Sequence, residues 1–381
     1  MKASPFCLAL AVFTSCSLFY PELTPGNPRE NQTHSTAPDT TFLVSAVAFA
    51  DSYDWQKDSD HASVPCKVLL FRNDSQSLEL SAGPKAGIGI FPDQHHIIDG
   101  NLYTEYADFR GTQIKRNGES VLWWEEQEKL LGLLSRDGVM HSLGQSLSGD
   151  ALVYRQDGVS VMRIDGGVAC GGFDCNGYGP NGALYEASGH VCFAYITQEP
   201  GRQEAVLVQD GIPETLLSLQ DANILDARMT GMKKYVLYER LKTYFILSDG
   251  VTFLMNNGGL MWRDARVIEY SGQRAIAGQL VQKKGDPRCA IGLENEVIYM
   301  EPGSEYIYCE GPYCPNLGEV LTEHKDCYFF GRDCAVQLGA DLAVALTPKN
   351  IKEPPFLEYC GKTIKYNLNG YLTGVAVETR K

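Results

Sequence analysis

The sequence predicts an all-β fold, a β-propeller of six or seven four-stranded blades, on three observations. The first is a recurrence of about 41 residues, marked by a small residue followed by glycine. The steps are Ser148-Gly149, Ser188-Gly189, Thr230-Gly231 and Ser271-Gly272, at spacings of 40, 42 and 41. A period in this range signals a repeat architecture. The second is that short apolar runs of strand composition flank each step. The third is Asp-Gly between such runs, at Asp137-Gly138, Asp157-Gly158, Asp210-Gly211 and Asp249-Gly250. A type I′ hairpin turn needs positive φ at both central residues, which favours that dipeptide.

The runs follow one another in a fixed order. After Gly189 comes V-C-F-A-Y-I up to Ile196, then the turn Gln198-Glu199-Pro200-Gly201 and the run A-V-L-V between Glu204 and Gln209. Asp210-Gly211 turns the chain into a run that begins at Ile212. After Gly231 the strands are Lys234 to Tyr238, Tyr244 to Leu247 and Val251 to Leu254. After Gly272 they are Ala275 to Val281, Cys289 to Leu293 and Val297 to Met300, with turns at Lys284-Gly285-Asp286 and Glu294-Asn295-Glu296. A further run precedes a step, as at Ile224 to Met229 and Val267 to Tyr270. A four-stranded blade cannot bury both faces by itself, so successive blades must stack. About 340 residues at about 41 each allow at most about eight blades, and loop insertions reduce this to six or seven. No long amphipathic helix is legible; Glu125 to Leu134 comes nearest to a short one.

The chain of 381 residues is long enough for several domains, but the continuous repeat argues for one spanning 41–381. Its 38 glycines and 20 tyrosines suit a turn-rich β protein. The net charge of −14 disfavours nucleic acid as a partner.

Lys2 is followed by an apolar stretch from Pro5 to Ser15 that is too short to span a bilayer and reads as a signal peptide, residues 1–16. Phe13-Thr14-Ser15-Cys16 resembles a bacterial lipobox, with phenylalanine where leucine is usual. The resemblance implies lipidation at Cys16. Residues 17–40 interleave Pro21, Pro25, Pro28 and Pro38 with Thr, Asn, Ser and Gly, the composition of a flexible tether. Signal, tether and repeat together are similar to anchored propeller lipoproteins of Gram-negative gut-type bacteria. That resemblance implies the cell envelope, as an outer-membrane lipoprotein held to the bilayer by its N-terminal anchor alone; a secreted or periplasmic protein is the alternative.

Twelve cysteines are present. Removing Cys7 with the signal and Cys16 to lipid leaves ten, and three pairs lie close in sequence: Cys170 and Cys175, Cys309 and Cys314, Cys327 and Cys334. In an exported protein these read as local disulfides that hold the shape of a loop. The C-x₂-C spacing and partner histidines of zinc sites are missing. Cys66, Cys192, Cys289 and Cys360 fall in or beside strand-like runs, as buried thiols do.

Loops carry the candidate site. Gly166 to Gly182 reads G-G-V-A-C-G-G-F-D-C-N-G-Y-G-P-N-G, with Phe173, Asp174, Asn176 and Tyr178 as contact residues. Glu305 to Pro315 sets Tyr306, Tyr308 and Tyr313 around a cysteine pair, aromatic faces suited to sugar rings or peptide side chains; both loops read equally as packing. Trp123-Trp124-Glu125-Glu126 could offer a carboxylate pair for acid/base work on a glycosidic bond, but neighbours on a strand diverge, so only one Trp–Glu set can share a site. Asp93, His95 and His96 form the compact His/Asp group, where joint metal ligation would need a loop because neighbours on a strand diverge. Asp51, Asp54, Asp58 and Asp60 make an acidic loop that could hold calcium through oxygen ligands but lacks EF-hand spacing and reads equally as a solvated loop. Asp226-Ala227-Arg228 recurs as Asp264-Ala265-Arg266, placed either to line a central channel or to tie adjacent blades by charge-assisted hydrogen bonds.

No G-x-S-x-G, P-loop, H-E-x-x-H or dinucleotide fingerprint occurs, so no cofactor or metal is implied. The expected function is an envelope-anchored binding or scaffold protein that recognises a glycan or partner protein through loops on one propeller face. The alternative is a carbohydrate-active enzyme, a glycoside hydrolase or lyase, using carboxylates near the ring axis.

Overall fold

In the computed structural model the described residues are 40–57, 64–83, 85–91, 94–170, 183–199, 201–230, 232–259, 261–270, 273–281, 288–299, 326–328, 335–338 and 341–378. Every regular element among them is a strand. The chain begins with β1 (Thr41–Phe49), β2 (Cys66–Arg72) and β3 (Ser75–Ala82), three strands of a first blade. The second blade is β4 (His95–Ile98), β5 (Asn101–Asp108), β6 (Gly111–Arg116) and β7 (Glu119–Trp124). The third is β8 (Glu128–Arg136), β9 (Val139–Ser146), β10 (Ala151–Gln156) and β11 (Val159–Asp165). In the fourth, β12 (Gly167–Cys170) and β13 (Leu184–Ala187) share the innermost place beside β14 (His190–Glu199), followed by β15 (Arg202–Gln209) and β16 (Ile212–Gln220). The fifth is β17 (Asn223–Thr230), β18 (Lys233–Arg240), β19 (Thr243–Ser248) and β20 (Val251–Met255). The sixth is β21 (Met261–Tyr270), β22 (Gln273–Val281), β23 (Arg288–Gly292) and β24 (Val297–Tyr299). In the seventh, β25 (Cys327–Tyr328) and β26 (Ala335–Leu338) share the innermost place beside β27 (Asp341–Pro348), β28 (Phe356–Tyr359) and β29 (Lys362–Lys365). The last strand, β30 (Asn369–Glu378), returns to the first blade and pairs antiparallel with β1, from Thr41↔Glu378 to Phe49↔Asn369. The fold is therefore a seven-bladed β-propeller whose first blade combines both ends of the described chain.

Two turn devices repeat from blade to blade. Asn73, Asn117, Asp157 and Asp210 each open the turn between a blade's third and fourth strands, at φ of 54°, 51°, 47° and 49°. Asn and Asp tolerate that left-handed backbone. Each Oδ1 accepts an N–H bond of 2.9 Å from Phe42, Leu102, Met140 and Val191 respectively. Each turn residue also donates its own N–H, at 2.8 Å, to the carbonyl of that same partner. The side chain thus adds one rung to the second strand's ladder.

The second device joins neighbours. Innermost strands carry register shifts, at Leu130/Gly132, Ile224/Asp226 and Arg263/Arg266, and opposite Ser45/Ala46 where β30 meets β1. Beside each shift an N–H turns to the preceding blade. Leu130 N donates to Glu105 Oε1 at 3.0 Å and Ile224 N to Gln203 Oε1 at 2.6 Å. Val267 N donates to Asp226 Oδ2 at 2.8 Å and Leu372 N to Thr347 Oγ1 at 3.2 Å. Asp226, which also accepts from Arg228 Nε at 3.2 Å, is thus a tie between the fifth and sixth blades. Apolar side chains fill the remaining space between neighbours. Tyr154 of the third blade packs on Phe193 of the fourth with ring centroids 5.2 Å apart.

Two expectations need correction. Ser148-Gly149 joins the second and third strands of its blade, whereas Ser188-Gly189 joins the first strand to the second. The counterpart of Ser188-Gly189 in the third blade is Asp137-Gly138. Any tight turn selects the same residue types, so composition marks a hairpin without saying which one. Residues 125–134 are not helical either; Glu128–Arg136 is an innermost strand with Leu130, Leu131 and Leu133 buried around Gly132. Burial on both faces blurs the period-two pattern that would have marked it as a strand.

His95 and His96 lie buried on β4. The Gly89 carbonyl, 2.9 Å from His95 Nε2, requires that nitrogen to donate, so Nδ1 accepts from Thr373 Oγ1 at 3.1 Å. Thr373 in turn shares a bond of 2.8 Å with Ser45 Oγ. Both ring nitrogens are thus committed to a link between the first two blades. Burial pushes the imidazole down to about 4, against a smaller opposing effect of Gly89. The unfolded chain therefore takes a proton, as pH falls below about 6.5, that the folded chain refuses until about 4. The contribution is complete above that range and lost on descending through it. In urea titrations His95→Gln is expected to lose less stability than the parent between pH 7.5 and 5, by about 2 kcal/mol. Equal losses in the two proteins would show that His95 is protonated in the folded state.

Candidate functional site

Successive antiparallel strands send a blade's second-to-third turn, and its connection to the next blade, to one face of the ring. The other two turns fall on the opposite face. Among the described residues a cavity lies on the first of these faces, against the second blade. It encloses about 370 Å³ and is lined by Lys85, Ala86 and Gly87 from the connection between β3 and β4, and by Tyr106, Asp108, Arg110, Gly111, Gln113, Lys115 and Trp123. That volume is near the small end of ligand pockets.

Register explains how these residues meet. Tyr106 pairs with Gln113, and Gln113 with Trp123, so the three form a row across β5, β6 and β7 on one face of the blade. Lys115, two residues from Gln113, points to the same face. Its ammonium donates to the Ala86 carbonyl, which pins the connecting loop over the sheet. Gln113 Nε2 donates to Ser120 Oγ at 2.9 Å. Asp108 starts the tight β5–β6 turn and accepts from the Arg110 backbone N–H at 2.8 Å. The same carboxylate takes Arg110 Nε at 3.1 Å and Nη2 at 2.7 Å. Hydrogen bonds from the Arg110 side chain, then its backbone, hold the Asp108 carboxyl below its ordinary range. Gly111 sits at φ 142°, where an added Cβ would strike the Trp124 carbonyl, so the turn demands glycine. Among the described residues no carboxylate forms an ion pair with Lys85 or Lys115.

Trp123 and Trp124 diverge as neighbours on a strand must. Trp123 is 53 % exposed at the cavity and Trp124 6 % exposed against the third blade. Behind Trp124 lies a second polar centre. Arg155 stands 4.9 Å from the Trp124 ring centroid and donates to Glu128 Oε2 at 2.9 Å and Glu126 Oε2 at 2.5 Å. Arg163 reaches the other oxygen of Glu126 at 3.0 Å. Gly144 leaves the room that the Glu128 carboxylate occupies over β9. The associated pair is therefore Glu126 with Glu128, not Glu125 with Glu126. A hydrogen bond from Glu128 holds Glu126 below its ordinary value despite burial, with help from Arg155 and Arg163. Burial pushes Glu128 up to about 7, and Arg155 only partly opposes it.

The remaining candidates divide between buried and undescribed positions. Phe173, Asp174, Asn176, Tyr178, Tyr306, Tyr308 and Tyr313 lie outside the described residues, as do Cys16, Cys175, Cys309, Cys314 and Cys334. Cys170 and Cys327 stand as free thiols, so neither expected bridge is formed at them. Both sit where an innermost strand is interrupted, Cys170 at the end of β12 and Cys327 in β25. Burial raises both thiols, Cys327 to about 11. Cys66 and Cys192 are likewise buried free thiols. Asp93, Asp58 and Asp60 fall outside the described residues, while Asp54 pairs with Lys57 at 2.7 Å.

No family model matches the chain, and no curated protein matches it. Solved structures do. The β-propeller domain of the Trilobed protease from Pyrococcus furiosus is 8% identical, with a TM-score of 0.43 over 85% of this chain and 93% of that one. Polysaccharide lyase Uly1 is 11% identical, TM-score 0.33, over 68% and 75%. An acylaminoacyl peptidase from Pyrococcus horikoshii is 10% identical, TM-score 0.29, over 89% and 63%. Likenesses this distant carry no activity to this chain; the propeller is defined by its own seven sheets.

The raised Glu128 carboxyl has a measurable consequence. The folded state holds a proton there from about 4.5, the ordinary value, up to about 7. The stability this adds is complete below that range and lost as pH rises through it. Glu128→Gln keeps the shape of the protonated acid. Relative to that variant, the parent is expected to lose about 3 kcal/mol of unfolding free energy between pH 5 and 8. A difference that stays constant with pH would show that Glu128 is ionised throughout.

Proposed function

We propose that the protein is an envelope-anchored binding protein that recognises a glycan or a partner protein through one face of the propeller, with the second-blade cavity as its seat. The observation that carries this reading is the cavity itself. An exposed indole, a phenol and an amide stand in a row on three β-strands, beside lysines that no carboxylate pairs among the described residues. Rigid placement of a few polar groups around an aromatic surface is what selective binding requires. Tyr306, Tyr308 and Tyr313, aromatic residues around a cysteine pair in the sequence, stay with the binding reading as its further contact candidates. Cys16 and the proline-rich stretch behind it support the anchor.

The enzymatic reading finds less support among the described residues. Glu126 and Glu128 are hydrogen-bonded to each other and clamped by Arg155, whereas hydrolysis of a glycosidic bond needs carboxyl groups about 5 Å or more apart. The carboxylate in the cavity, Asp108, is occupied by Arg110.

The reading is tested by exposing the full chain to arrayed glycans and envelope proteins, scored for both retention and turnover. Retention without cleavage is expected, and Trp123→Ala should weaken it about tenfold while leaving thermal unfolding unchanged. Turnover of any retained glycan would replace the binding reading with the enzymatic one. Fatty-acid labelling that survives Cys16→Ala would remove the anchor from the account.

A further inference from the structure

Resting on that reading of the cavity, we propose that its ligand is an acidic saccharide: a hexuronate unit whose ring lies on Trp123 and whose carboxylate is received by Lys85, Lys115 and Arg110. The charge of the site sets it apart from the rest of the molecule. Three cations and one carboxylate line it in a chain of net charge −14. A neutral ligand would gain little from such a wall, since covering cations without pairing them costs solvation. A carboxylate pairs them.

The donors are also free to act. Asp108 takes Nε and Nη2 of Arg110, which leaves Nη1 of the fork to donate elsewhere. Lys85 is exposed and has no carboxylate partner among the described residues. Lys115 spends one of its three donors on the Ala86 carbonyl.

The remaining groups favour a sugar over inorganic phosphate. The row of Tyr106, Gln113 and Trp123 spans two strand spacings, about 10 Å, enough for a ring with its substituents. Trp123 offers an apolar face to the C–H side of such a ring. Gln113 supplies an amide for hydroxyl groups. The Asp108 carboxylate would repel a phosphate dianion more strongly than a singly charged hexuronate, and the dianion has one hydroxyl to donate where the sugar has several.

The test is calorimetric titration of the full chain with oligosaccharides of galacturonate, glucuronate and mannuronate, with the carboxyl-reduced form of each, and with inorganic phosphate as competitor. At least one hexuronate is expected to bind, its carboxyl-reduced form about tenfold more weakly or worse. Lys85→Glu should weaken the acid by a similar factor and leave the reduced form unchanged. Trp123→Ala should weaken both. Equal binding of acid and reduced forms would overturn the acidic ligand while leaving a saccharide site standing. Displacement of the hexuronate by phosphate would make this a phosphate site, and no binding of any hexuronate would overturn the proposal outright. Failure of the broader binding reading looks different: no arrayed glycan or envelope protein is retained, or a retained glycan is cleaved, whereas retention that ignores Trp123→Ala would move the seat away from this cavity.

Discussion

The pairing of β30 with β1 is the constraint on which the rest of the molecule depends. Seven blades set around an axis bury their faces only if each has a neighbour on both sides. An open arc would leave two apolar faces and two strand edges in water. The clasp removes both problems, running from Thr41↔Glu378 to Phe49↔Asn369, with Arg72 and Glu378 paired at 2.9 Å near its end. It also joins residues more than 300 positions apart, so loop-closure entropy opposes it. The compensation is the apolar filling on both sides, where Val44, Ala46, Leu372 and Val375 pack toward the seventh blade and Leu43, Val47 and Tyr371 toward the second.

Polar groups are then arranged to serve the ring rather than to compete with it. The N–H groups beside the innermost register shifts of four blades find acceptors on the preceding blade: Glu105, Gln203, Asp226 and Thr347. A buried donor left without an acceptor would cost more than the bond contributes when made. These seams therefore fix the stagger of one blade on the next. Two seams also carry buried groups that titrate in opposite senses. His95 is held neutral and disfavours acid, whereas Glu128 is held protonated and favours it. Between about pH 4.5 and 6.5 their contributions change in opposite directions, which flattens the parent protein's response over that range.

The fold was legible in the sequence because turn chemistry is local. A left-handed residue at a hairpin admits few types, so Asp157-Gly158, Asp210-Gly211 and Asp249-Gly250 announce themselves without knowledge of the whole. What such a turn joins is a tertiary matter, which is why Ser148-Gly149 belongs to a different hairpin from Ser188-Gly189. The division of Trp123 from Trp124 was legible too, since a strand must send neighbours apart. The cavity was not. Tyr106, Gln113 and Trp123 become a row only through pairing across three strands, and Lys85 reaches them along the link between blades. The usable signal was weaker: a tryptophan destined for the outer strand of a blade, with lysines and arginine on the preceding strands and turns. The association of Glu126 with Glu128 was hidden for a similar reason, because Arg155 arrives from β10 and Gly144 clears its seat from β9.

Native-state hydrogen exchange along a urea series tests the clasp most directly. If β30 closes the ring as described, amides of β1 and β30 such as Val44, Val47 and Val375 exchange only through the transition that unfolds the whole propeller, with the same denaturant dependence. Exchange of these amides through local opening, at a free energy well below that of the central strands and insensitive to urea, would contradict the account.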